Sequence, residues 1–245
     1  MLLSLKSILT FAAVGAAALS ALPSQAQTLY SGIDMAAGQG DPHPLSDSAA
    51  TSFGTAASGL GLVNTINFEN ATVGASGGLL APGVSFTTTA LPPSPFSDGF
   101  VLDAPAGAPT ADFGYNTTPN GANYLFLDNT QATFTFTQPI QAFGAYLTGV
   151  QLDGETITLS DGSVISIPNP GLTGGCQFLG FTDPGKTITS VTINPYGDAI
   201  GVDDIQYVTN PVPEASTTVS FGLLLALGMG GVVITARKKK AVASA

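Results

Sequence analysis

One cysteine, one histidine, no tryptophan and six lysine or arginine residues among 245 positions leave this sequence short of the side chains that most enzyme sites are built from. A lone thiol, Cys176, can form neither an intrachain disulfide nor a metal cluster. As a nucleophile it would need an orienting base, and the single histidine, His43, sits in a distant Pro-flanked stretch. Cys176 therefore reads as a small buried apolar residue, and His43 as a loop residue without a partner. Basic charge is scarcer still where it would matter. Lys6 and the cluster Arg237 to Lys240 lie near the two termini, so Lys186 alone faces the fifteen acids between Asp34 and Asp204, a net charge of −14 for that region. Such a surface repels phosphate, which excludes nucleic acid as a partner and disfavours anionic lipid. Fifteen acids make a facing carboxylate pair of the glycosidase kind combinatorially easy, so that pattern carries no signal, and the chain reads as a non-enzyme.

Both ends are addresses. Lys6, an apolar run from Ile8 to Leu22 and the small-x-small site Ser24-Gln25-Ala26 form a signal peptide over residues 1–26, with Gln27 opening the mature chain. Near the other end, Val212-Pro213-Glu214-Ala215 precedes an apolar stretch, 217–236, without a formal charge. As a helix it spans about 30 Å, the thickness of a bilayer's hydrocarbon core. Arg237-Lys238-Lys239-Lys240 keeps that end cytoplasmic, which leaves everything before Val212 outside.

The Pro-Glu pair, apolar helix and basic cluster together resemble the PEP-CTERM sorting signal of Gram-negative-type bacteria, over residues 211–240. Ala215 stands where the second proline of that motif usually stands. The resemblance implies cleavage near Glu214 by an exosortase-type membrane protease, after an inner-membrane-anchored precursor stage, and release to the cell surface or exopolysaccharide matrix. A plain single-pass anchor is the alternative reading.

Between the addresses, residues 27–62 form a leader with one short helix and 63–210 form the main domain. Residues 28–40 show no period and read as loosely held. Ser46 is the expected N-cap of a helix whose Ala49, Ala50, Phe53, Ala56 and Ala57 share one side, with Gly59 as its stop. Beyond Leu62 the period falls to two. Strands are expected at 63–68, 84–89, 123–127, 132–137, 141–147, 155–160, 163–167, 176–181, 187–194 and 201–208. Asp161-Gly162 signals a type I′ hairpin. The prediction is an all-β, antiparallel, jelly-roll-like β-sandwich. Two insertions, a Gly-rich one at 70–83 and a Pro-rich one at 90–122, interrupt it. Asn116-Thr117-Thr118 matches a glycosylation sequon by chance.

Phe143-Gly144-Ala145-Tyr146, Ser160-Asp161-Gly162, Leu179-Gly180-Phe181 and Gly201-Val202-Asp203-Asp204 resemble the ectodomain recurrent among PEP-CTERM proteins. That likeness implies a surface location and no particular activity.

Two binding sites are expected from residue types. Asp198 with Asp203 or Asp204, joined by carbonyls and a distant carboxylate, forms a calcium site, the one candidate cofactor; adjacent strand residues point to opposite faces, so both of the latter join only across a bulge. Tyr115, Asn116, Tyr124 and Tyr196 form a sugar-contact set. The reading of function is a non-catalytic surface or matrix protein associated with exopolysaccharide or biofilm. The alternatives are a glycan-binding module, calcium-dependent or not, and then a secreted glycan-acting enzyme.

Overall fold

The computed structural model describes residues 26–92, 98–103 and 113–209. The apolar core of the signal peptide and the whole 211–240 segment, including the 217–236 span, lie outside the described residues. Chain order is β1 (Thr28–Met35), α1 (Pro44–Ser58), β2 (Val63–Ile66), β3 (Gly77–Ala81), β4 (Val84–Ala90), β5 (Asp98–Asp103), β6 (Asn123–Asp128), β7 (Thr130–Thr148), β8 (Thr156–Leu159), β9 (Val164–Ser166), β10 (Gly175–Thr182), β11 (Ile188–Asn194) and β12 (Ala199–Thr209). Every strand pairing is antiparallel.

The long strand β7 organises the fold. Its first half pairs with β4 and β11, its second half with β10 and β12. One layer therefore runs β3-β4-β7-β11-β8-β9 and the other β1-β10-β7-β12-β6-β5, with β2 beside the later part of β12. Between the halves the inward-facing residues switch from even (Ala132, Phe134, Phe136) to odd (Phe143, Ala145, Leu147). Pro139, which has no amide to give a ladder, lies in the break. The strand folds over itself, so that Phe143 lies 6.2 Å from Phe134 and 6.4 Å from Phe136, ring centre to ring centre. That pair of layers with a shared apolar interior is the predicted β-sandwich. Where two strands were expected, at 132–137 and 141–147, there is one bent strand.

Helix α1 covers the outer face of the second layer. Ala49, Ala50, Phe53 and Ala57 pack with Cys176, Phe178, Tyr146, Ala142 and Val208 in a second apolar cluster. This is why all eight residues of β10 are buried: one face meets the interior, the other the helix. Gly32 permits the approach, since a Cβ there would be driven into the Leu45 carbonyl.

Several local expectations are corrected. Residues 28–35, expected to be loosely held, pair along their whole length with β10. Their period is hidden because β1 is a half-exposed edge strand whose helix-facing side carries a glycine. Ser46 is not the N-cap: the helix begins at Pro44, with His43 at the cap position. The Ser46 hydroxyl is instead buried, donating to Asp34 Oδ2 at 2.7 Å or the Cys176 carbonyl at 3.0 Å. Both insertions contain strands, β3 and β5. Asp161 lacks the positive φ of a type I′ turn; only Gly162, at 87°, adopts it, in a three-residue loop closed by Leu159 and Ser163.

Candidate functional site

Acidic side chains reach both parts of the last strand, and they do different things. Asp203 is fully buried on β12. Its Oδ2 accepts the Thr117 and Thr118 amides at 2.8 and 3.1 Å, and its Oδ1 the Asp204 amide at 2.8 Å. A register break between Asp203 and Gln206, with Asp204 at φ 43°, lets the neighbouring carboxylate reach the same loop. Thr118 Oγ1 donates to Asp204 Oδ1 at 2.9 Å, and Thr117 Oγ1 lies 3.1 Å from Asp204 Oδ2 and 3.2 Å from Asp203 Oδ2. The bulge that the calcium reading required is therefore present. Burial, and then the Asp204 charge, push the Asp203 carboxyl up to about 7 against the pull of its amide donors.

Glu69 holds the other end of that loop. Its Oε1 accepts the Ala122 and Asn123 amides at 3.0 and 3.1 Å and Asn116 Nδ2 at 3.0 Å. Three carboxylates, two on β12 and one in the segment after β2, thus hold the two ends of 115–123. A cavity of about 340 Å³ lies between this loop and residues 39–43.

Asp198 belongs elsewhere. It stands just before β12, five residues ahead of Asp203 or about 16 Å of extended chain, and its Oδ2 accepts the Gln151 and Leu152 amides at 2.5 and 3.1 Å. The structure therefore does not bring Asp198 together with Asp203 and Asp204. Among the described residues, no group of three or more His, Cys, Asp or Glu side chains is placed to hold a metal ion. Beside Asp198 lies Glu155, with no exposed surface and neither carboxyl oxygen on a hydrogen-bond donor. The strand pattern contained its signal: Glu155 shares a face with Ile157 and Leu159, both in the interior. Glu69, in an irregular segment, had no such signal.

The expected sugar-contact set is corrected by burial. Tyr115, Tyr124 and Asn116 are 1%, 0% and 5% exposed, so none offers a face to a ligand. Tyr115 donates its hydroxyl to the Ala37 carbonyl and, through its backbone, brackets Thr148 Oγ1. Asn116 Nδ2 also donates to the Asn123 carbonyl at 2.9 Å, so the sequon's amide is internal. Tyr196 alone is exposed, at 66%, on a turn with φ 50°. It lines an open cavity of about 370 Å³ with Leu91, Pro92, Asn129 and Asn194.

His43 and Cys176 take structural places. His43 Nδ1 lies 2.9 Å from Asp47 Oδ1, which also accepts the Tyr146 hydroxyl at 2.7 Å. Cys176 is 1% exposed, and burial pushes its thiol up to about 12, which keeps it protonated and unreactive.

Among the described residues, the fold and these sites define an antiparallel β-sandwich module with one packed helix. No family model matches the sequence, and no curated protein does. Among solved structures, the K2 cleaved adhesin domain of Lys-gingipain is similar with a TM-score of 0.41 and 15% identity, covering 60% of this chain and all of that domain. The enzymatically active domain of tailspike protein 4 from bacteriophage CBA120 is similar with a TM-score of 0.30 and 11% identity, over 58% of this chain and 20% of that one.

Proposed function

We propose that the protein is a non-catalytic surface module, exported by residues 1–26, anchored by 217–236 and sorted by cleavage near Glu214 into an exopolysaccharide-associated matrix. The observation that carries this reading is the run Val212-Pro213-Glu214-Ala215, apolar span and basic cluster, which follows the β-domain in the sequence. β12 ends at Thr209, three residues before the motif. The test is intact mass and terminal sequencing of the protein from its own host, with membrane and extracellular fractions kept apart. The expected product starts at Gln27 and ends near Glu214 outside the membrane. A chain retaining Arg237 to Lys240 in the membrane fraction would replace sorting with simple tethering.

Tyr196 favours a second reading, glycan contact. An exposed ring beside two asparagines at an open cavity supplies a stacking face and polar groups for hydroxyls. Retention of the full chain on immobilised polysaccharides, lost in Tyr196→Ala, is the expected result; equal retention of both proteins would remove the ring from the account.

A further inference from the structure

Glu155 is the least accommodated charged side chain among the described residues. It precedes β8 at the end of the 149–155 loop, it is fully buried, and neither of its carboxyl oxygens has a donor in good hydrogen-bond geometry. What it meets is another acceptor, the 6%-exposed Asp198 carboxylate. The loop is drawn around this pair: Gln151 and Leu152 give their amides to Asp198 Oδ2, while Ala199 gives its amide to Oδ1 at 2.8 Å. Those three donors are spent on Asp198; the Leu152 amide also draws on Glu155, but less than burial and the Asp198 charge oppose it. Two buried carboxyls in this relation need something positive between them, a shared proton or a cation.

We infer that Glu155 and Asp198 form a calcium site, completed by backbone carbonyls of the 149–155 loop and by water. The donor set is oxygen alone, without histidine or thiolate, which selects a hard cation over zinc or copper. Calcium rather than magnesium suits it, because calcium accepts bidentate carboxylates, carbonyls and irregular geometry, whereas magnesium demands a near-ideal octahedron and keeps its water. Two carboxylates balance one divalent charge. Burial beside the Asp198 carboxylate disfavours a bare charge on Glu155, which a bound cation would offset. Asp203 and Asp204 take no part, since they lie against the 115–118 loop, away from this pair. The site also tethers the loop to the turn that carries Tyr196, whose ring packs against Gly154. It does not depend on the sorting or glycan readings, as it is tested with the cation alone.

The experiment is thermal unfolding of the full chain in nonionic detergent at constant pH, first in EDTA, then in excess CaCl₂ or MgCl₂. Calcium is expected to raise Tm by several degrees, as a ligand bound only by the folded state does, with a matching calorimetric binding heat and a much smaller response to magnesium. Glu155→Gln keeps the side chain's shape, and Asp203→Asn serves as the control. The calcium shift should vanish in the first and persist in the second. Absence of both shift and heat in the wild type would overturn the site and leave a shared proton in its place. An unchanged calcium response in Glu155→Gln, or an equal response to magnesium, would overturn it as well. The wild-type calorimetry decides the matter even if that variant fails to fold.

Discussion

Replacing Asp203 by asparagine tests whether the clamp beneath the 115–123 loop holds a strained charge. In the folded chain the Asp203 carboxyl is raised from 3.8 to about 7, first by burial and then by Asp204. A group that binds its proton more tightly when folded stabilises the fold fully below the unfolded value, and that stability is lost as pH rises through the folded one. The loss runs at about 1.4 kcal/mol per pH unit for one proton, or roughly 4 kcal/mol across the whole window. The assay is urea unfolding of the full chain, wild type and Asp203→Asn, in EDTA at several pH values between about 4 and 8. Absolute stabilities will differ for another reason: the asparagine NH₂ cannot accept the bonds that both carboxylate oxygens accept, which costs about 1–3 kcal/mol. The slope is the informative quantity. Wild-type stability should fall with pH more steeply than that of the variant, and Asp204, also raised and relieved of a like charge, adds to the difference in the same direction. A wild-type slope equal to or shallower than the variant's would refute the reasoning. It would mean that three amide donors outweigh desolvation and hold Asp203 ionised.

Phe53→Ala removes a ring with no exposed surface, 5.8 Å from Tyr30 and 5.5 Å from Phe178, and should cost about 3–5 kcal/mol in denaturant unfolding; a loss below about 1 kcal/mol would show that the helix contributes little through its docking. Gly32→Val should lift α1 off β1 by collision with the Leu45 carbonyl, seen as faster hydrogen exchange in 44–58, and unchanged protection there would refute the close approach. Cys176 should resist a thiol reagent in the native protein and react fully in denaturant. Tyr196→Ala should leave stability within about 0.5 kcal/mol of wild type, because the ring is mostly exposed.

Some of this was legible in the residues themselves, where a local pattern had only one face to bury. Alternation in Thr133 to Thr137 and in Thr156 to Leu159, and the helical spacing of Ala49, Phe53 and Ala57, led directly to β7, β8 and α1. β1, β3 and β5 were missed because edge strands bury little and keep glycine or mixed residues, so their hydrogen-bond partners, β10, β4 and β6, define them. Sequence periodicity could not show that β7 changes layers at Pro139, since a bend between two alternating runs reads the same as a loop.

The candidate sites divide along the same line. The sequence by itself determined the acidity, the scarcity of nucleophiles and bases, and the need for a bulge before Asp203 and Asp204 could act together. Only the tertiary structure decided that Tyr115, Asn116 and Tyr124 are internal, that Tyr196 is exposed, and that Asp198 faces Glu155 instead of Asp203. The physical reason is range. Composition and period act through neighbours along the chain, whereas burial and the approach of two carboxylates forty-three positions apart depend on which strands the layers bring side by side.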